Sequence, residues 1–193
     1  MALLSKSAQD AVAGNGAYLS PSKIAAGSSV RFALLSDEPL EFYEVWAEGP
    51  DGKAKPFRFA SEPSPDDLTL AFGDFTRRMN REGTGPEPIK FALALPIYNH
   101  DAAQVQILQL AQKSIIRELD AVSQMPDYDD LTAIDFSLGK EGSGLKTEYK
   151  VTPLPRRKGA DKDITAAWEE ARADGFDISR LLEGGNPFKP EAP

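Results

Sequence analysis

The apolar positions of this chain fall into short alternating runs broken by proline, glycine and aspartate. Residues 29–35 (SVRFALL) put Val30, Phe32 and Leu34 on one face and Arg31 and Ala33 on the other, the period-two pattern of a half-buried strand. Asp37-Glu38-Pro39 ends it. Residues 40–46 (LEFYEVW) read as a second strand rich in aromatics, Gly49-Pro50-Asp51-Gly52 as a turn, and residues 55–59 (KPFRF) as a third strand. Together these predict a twisted antiparallel sheet. After a proline-bearing loop over 61–65, residues 66–81 carry Leu68, Phe72, Phe75 and Met79 at helical spacing and predict one short helix. Residues 90–97 are a strongly apolar strand, turned at Tyr98-Asn99-His100-Asp101 into a partner over 105–110. A helix over 112–122 buries Ile115, Ile116, Leu119 and Val122. Residues 134–138 and 147–152 then form a closing hairpin around Gly142-Ser143-Gly144. Arg156-Arg157-Lys158-Gly159 reads as a basic linker. Asp163 is the expected N-cap of a helix over 164–173 stopped by Gly175, and Asp177 caps a last turn ending at Leu182. Residues 1–16 are small and polar, and 184–193 show no pattern that would order them.

Composition removes several classes. There is no cysteine, so no disulfide framework and no thiolate zinc site, and a single histidine, His100, makes a structural zinc centre untenable. No apolar run reaches the roughly 18 residues of a membrane span, and residues 1–13 lack the continuous apolar core of a signal peptide. The net charge of −8 argues by itself against a sequence-indifferent nucleic-acid binder. Its distribution softens that argument: residues 1–158 hold 18 Lys/Arg against 22 Asp/Glu, whereas residues 159–193 hold 4 against 8. Half of the excess therefore lies in the last stretch of the chain.

Sequence-indifferent binding of single strands needs aromatic faces for bases and cations for phosphates. The first three strands carry Phe42, Tyr43, Trp46, Phe57 and Phe59, interleaved with Arg31, Lys53, Lys55 and Arg58. On the second strand, Leu40, Phe42, Glu44 and Trp46 share one face, and the Phe42 face is the better core candidate. Tyr43 then points outward with Arg31 and Arg58 as neighbours, and Trp46 stands near the Gly49 turn. Each aromatic taken singly reads more readily as barrel core, and the binding reading rests on the set. Arg77-Arg78 with Arg81 reads as a phosphate clamp or as a solvated helix face. Lys113 and Arg117 are spaced i, i+4 on the face away from Ile115, and Lys146 and Lys150 edge the closing hairpin beside Tyr149, where lysines also discourage edge pairing. Asp127-Tyr128-Asp129-Asp130 with Asp135 lacks the glycine and the closing glutamate of a calcium loop and reads as turn chemistry. There is no phosphate-binding glycine loop, and His100 has no nucleophile beside it, so nothing promotes catalysis.

Three clusters of residues carry a family resemblance: Ile107-Leu108-x-Leu110-x-Gln112-Lys113-Ser114-Ile115, Tyr128-Asp129, and Gly144-Leu145-x-Thr147-x-Tyr149-x-Val151-x-Pro153. They resemble the single-stranded-DNA-binding proteins of tailed phages, relatives of the T-even-type helix-destabilising proteins. The likeness spans residues 18–156 and is closest over 90–155; earlier it rests on Tyr18-Leu19, Gly27-x-x-Val30-Arg31-x-x-x-Leu35 and Glu38-Pro39. It implies a mainly β protein with α: a five-stranded OB-fold barrel, a helix between the strand ending near Leu110 and the closing hairpin, and a helical acidic C-terminal tail. The expected domains are an N-terminal arm over 1–17, a DNA-binding domain over 18–156 with an insertion at 61–89, and a tail over 157–193. Many relatives carry a zinc module in that insertion; this chain has no cysteine there and bears the arginine cluster instead.

The implied activity is non-enzymatic and needs no cofactor or metal: coating single-stranded DNA during phage replication, recombination and repair in the host cytoplasm. The tail would recruit phage or host replication and recombination proteins and compete with DNA; its apolar residues Trp168, Phe176, Ile178 and Leu181 leave open docking on a partner, on a neighbouring subunit or back on its own barrel. Neither a membrane nor a fixed oligomer is implied, though a homodimer or cooperative self-association fits the resemblance. The candidate DNA-binding set is Tyr43, Trp46, Phe57, Phe59, Arg31, Lys55, Arg58, Arg77, Arg78, Tyr98, Lys113, Lys146 and Tyr149. The residues alone leave a second reading open, an OB-fold protein-interaction adaptor or virion component that binds no nucleic acid.

Overall fold

The structure is a computed structural model and describes residues 16–189 of the chain. In chain order its elements are β1 (Tyr18–Leu19), β2 (Ser28–Leu34), β3 (Leu40–Glu48), β4 (Ala54–Phe59), α1 (Pro65–Phe72), β5 (Thr76–Arg77), β6 (Lys90–Asn99), β7 (Gln104–Leu110), α2 (Lys113–Ser123), β8 (Asp135–Glu141), β9 (Glu148–Leu154) and α3 (Asp161–Ala173). Short 3₁₀ turns lie at Pro21–Lys23, Leu131–Ala133, Gly144–Lys146 and Ile178–Leu181. The protein is mixed β and α. The described residues divide into two compact units, 16–39 with 94–173, and 40–93 with 174–189; the expected N-terminal arm lies almost wholly outside them. Among the described residues no helix is long and apolar enough to cross a membrane.

In the first unit the strand order is β1-β7-β6-β2-β8-β9, with β2 antiparallel to both β6 and β8 and β1 parallel to β7. Phe32 of β2 stands directly across from Phe136 of β8, and their buried rings stack 5.7 Å apart. The expected strand–helix–hairpin order is present: β7 leads into α2, which packs on β9. α2 buries Ile115, Leu119 and Val122, while Ile116 is only half-buried. The order ends on β1 and β9, and the sheet is not closed into the expected barrel. β9 protects its free edge: the Glu118 carboxylate accepts the Val151 amide, and Pro153 occupies the next position on the same outward row.

Two expectations about this unit change. Residues 29–35 were to be half-buried, yet Phe32, Ala33 and Leu34 are all buried. The second face is covered by α3: Ala33 and Tyr98 form a buried cluster with Ala160 and Ile164, joined by Leu35 and Ala167. α3 also begins at Asp161, ahead of the expected cap at Asp163; both aspartates sit in its first turn, where the helix dipole favours them. Residues 156–159 are therefore no free linker.

The second unit is built on β3, with β4 on one side and β5 on the other. Its core joins Val45 and Ala47 of β3 to Leu68 and Phe72 of α1, with Phe57, Phe59, Phe75 and Ile89 packed around them. The single helix expected over 66–81 is corrected. α1 starts on a capping box, in which the Ser64 side chain accepts the Asp67 amide and Asp67 accepts the Ser64 amide. It stops at Phe72 because Gly73 takes a positive φ of 54°. Beyond it Thr76 and Arg77 pair with Glu48 and Ala47, so strand hydrogen bonds displace the helical periodicity of Phe75 and Met79.

Residues 174–189, expected to be tail, are also ordered. Asp177 caps the Ile178–Leu181 turn by accepting the Ser179 amide, as expected. Phe176 and Phe188 meet edge-on at 5.2 Å, the Asp177 amide donates to the Pro187 carbonyl, and Leu181 is buried. The expected tail is thus divided: α3 belongs to the first unit and residues 174–189 to the second.

Candidate nucleic-acid interface

In the first unit, two candidate residues are structural. Tyr98 is buried beneath α3, and its hydroxyl is pushed up in pKa by that burial and by the nearby Asp163 charge, against a smaller pull from Arg157. Arg31 is committed to a fully buried carboxylate. Its Nε donates to Asp135 Oδ2 at 2.8 Å and its Nη2 to the Pro155 carbonyl at 2.7 Å. Arg156 Nη1 donates to Asp135 Oδ1 at 2.8 Å, and the Arg157 amide to Oδ2 at 3.0 Å. His100 Nε2 lies 3.0 Å from the same carboxylate. Burial alone would raise the Asp135 pKa, but the His100 ring beside it, the Arg157 amide and Arg31 outweigh it and hold the carboxyl below its usual range. This hub ties the end of β9 and the approach to α3 to the sheet. It leaves Arg31 unable to serve a phosphate.

Lys113, Lys146 and Tyr149 remain accessible in this unit. Lys113 is exposed at the start of α2, Lys146 is exposed at the hairpin tip, and Tyr149 is half-exposed on β9. Tyr149 and Lys150 line a shallow groove of about 430 Å³ whose walls also include Glu118, Glu141 and Glu148. Its carboxylates make that groove a poor phosphate track.

In the second unit the alternation of β3 decides the outcome. Register places Glu44 opposite Arg58, so Arg58 lies on the Phe42 face and not beside Tyr43 as expected. Arg58 Nε donates to Glu44 Oε2 at 3.0 Å, Trp46 Nε1 donates to Glu44 Oε1 at 3.1 Å, and the Arg58 guanidinium lies 5.5 Å from the Phe42 ring centre. This pairing consumes Arg58 and engages the indole N–H of half-buried Trp46. Tyr43 meets Phe91 edge-on at 5.5 Å. Phe57 and Phe59 are packed into the core around Val45 and Phe72, which corrects their reading as free stacking platforms. They pack there because α1 covers this face of β3.

At the end of that same face Lys55 stays exposed and Arg77 is half-buried. Ala47 of β3 is flanked by Lys55 on β4 and Arg77 on β5. The Lys55 ammonium sits 4.7 Å from the Phe57 ring centre and 4.4 Å from that of Phe75. A cation so placed is attracted to the ring faces. Arg77 is braced by two bonds to the Glu87 carbonyl, at 3.2 and 2.7 Å. The Glu87 carboxylate takes Lys90 at 2.7 Å and stands 3.8 Å from Arg78, which is half-exposed. One carboxylate therefore answers two cations, Lys90 and Arg78, and leaves Lys55 and Arg77 without a carboxylate partner among the ion pairs seen. Gly49 lets the Phe75 ring lie against the β3–β4 turn, since a Cβ there would come within 3.0 Å of it.

Sequence reasoning missed Phe75 as part of this patch by assigning it to a helix; Gly73-Asp74 ahead of it was the available stop signal. It also missed the Asp135 hub, for which spacing offers no signal. Among the described residues no three His, Asp or Glu side chains converge as a metal site. No family model, curated protein or solved structure matches this chain.

Proposed function

We propose that this protein binds single-stranded DNA without catalysis and with little sequence preference, coating it in phage replication, recombination and repair. The observation that carries the reading is the Lys55 ammonium held over the Phe57 and Phe75 rings, with Arg77 on the same face. Such a site sets two cations for phosphates beside the half-buried Phe75 ring, whose face a base takes when the Lys55 ammonium moves from it to a phosphate. The motif resemblance over 90–155 supports it, and so does the strand–helix–hairpin order of β7, α2, β8 and β9, which suits an OB-type scaffold. On this reading the protein works in the host cytoplasm. Replication and recombination partners would meet the exposed acidic residues of α3, Asp163, Glu169 and Glu170.

The test is anisotropy of a labelled dT oligomer and of a duplex of equal length across a salt series. The reading expects tighter binding to the single strand, with log K falling by about 0.7 per decade of salt for each phosphate contacted. No binding to dT at low salt would sink it. One observation favours a second reading, a protein adaptor or virion component: Arg31, Arg156 and Arg58 are engaged by Asp135 and Glu44 instead of facing a ligand. That reading expects no salt-dependent oligonucleotide binding at all.

A further inference from the structure

We infer that the tip of the β8–β9 hairpin is an apolar wedge that inserts Leu145 between neighbouring bases of the bound strand. This rests on the single-strand reading above. Leu145 is the most exposed large apolar side chain among the described residues. A leucine on a loose loop would fold back to shelter itself, but this turn is over-determined. Gly142 and Gly144 hold positive φ angles of 70° and 57°. A side chain at 142 would run into the Lys146 carbonyl, so the close approach of the two strand ends needs glycine. The Lys146 amide donates to the Ser143 carbonyl at 3.1 Å, and the Thr147 hydroxyl to the Gly144 carbonyl at 2.9 Å. The 3₁₀ turn Gly144–Lys146 thus points Leu145 outward and keeps it there.

The charges are sorted around it. Residues 142–147 contain no acid, and the exposed Lys146 adjoins Leu145. The hairpin carboxylates Glu141 and Glu148 stand directly across from each other and share one face with Lys150, while Lys140 and Tyr149 take the opposite face. An apolar knob with a cation at its base suits a stack of bases with a phosphate alongside, and apolar side chains do part base steps in this way. A knob already fixed in its binding position loses little conformational freedom on insertion.

The test uses the full chain with a dT oligomer, an abasic oligomer of equal length, and a dA oligomer carrying 2-aminopurine. Wild type should raise the 2-aminopurine fluorescence by unstacking. Leu145→Ala should abolish that rise and weaken binding to dT by about fivefold to tenfold, the loss of part of a leucine's burial, with affinity for the abasic strand unchanged. Its melting temperature should match wild type, because this side chain is fully exposed. Lys146→Gln should keep the fluorescence rise and lower the salt slope by about 0.7. If wild type binds dT and Leu145→Ala binds it equally well, or loses the abasic strand to the same extent, the wedge is overturned and the single-strand reading stands. If wild type binds neither strand, both fall.

Discussion

Replacing Asp135 by asparagine should be among the most damaging isosteric changes in this protein. The carboxylate is fully buried and gathers Arg31 and Arg156 at 2.8 Å each, the Arg157 amide at 3.0 Å, and His100 beside them. Asparagine keeps the shape but removes the charge, leaving Arg31, with 28% of its side chain exposed, without its carboxylate, and Arg156, with 13% exposed, with only the solvent-facing Asp161 at 3.3 Å. Breaking one partner out of a buried ion pair costs about 3–5 kcal/mol, and the retained amide oxygen places this variant near about 3 kcal/mol. In urea that appears as a lower midpoint with an unchanged m-value. In a thermal melt it amounts to about 6–12 °C for a chain of this size. The pH profile adds an independent check. The folded carboxyl titrates below its unfolded value, so its stabilisation is complete above the unfolded pKa and is lost as pH falls through the depressed folded one. Wild type should lose stability below the ordinary carboxylate range, and Asp135→Asn should lose less there. A loss under about 1 kcal/mol, or an unaltered acid limb, would refute the hub as a major determinant of stability.

Two further outcomes follow from the ordered C-terminal part. Leu181→Ala should cost about 2–5 kcal/mol by urea denaturation, as for a buried leucine, because that side chain is 1% exposed. Truncation after Gly159 removes Ala160 and Ile164 from the cluster over Ala33 and Tyr98. The truncated protein should melt earlier and bind hydrophobic dye, and any tightening of DNA binding would come with that loss; a truncated chain as stable as wild type would contradict the packing described.

Element by element, the sequence was legible where local chemistry decided the outcome. The alternating runs of β2, β3 and β4, the amphipathic α2 and the Asp177 cap needed no tertiary knowledge. Periodicity misled where pairing overrode it: Phe75 and Met79 fit a helix, but Gly73 broke it and β3 claimed Thr76 and Arg77. The candidate site was legible only in part. Lys55 and Arg77 are candidates from the sequence that the fold sets on one face, but which cations are engaged elsewhere depended on partners far along the chain. Arg31 finds Asp135, 104 residues away, and Arg58 finds Glu44 through strand register. No local pattern marks such a pair. The acidic end seemed detachable because its charge is uneven, yet Ile164 and Leu181 are enough to anchor it.

The central claim, that the open end of the β3–β4–β5 face binds single strands, is tested most directly by titrating a labelled dT oligomer with wild type and with Lys55→Ala/Phe75→Leu at two salt concentrations. Leucine keeps the packing around Phe57 while removing the ring face. The double variant should lose about 1–3 kcal/mol of affinity for its missing stacking face, and its salt slope should fall by about 0.7 for the missing cation. Equal affinity and equal salt slope for the two proteins would contradict the account.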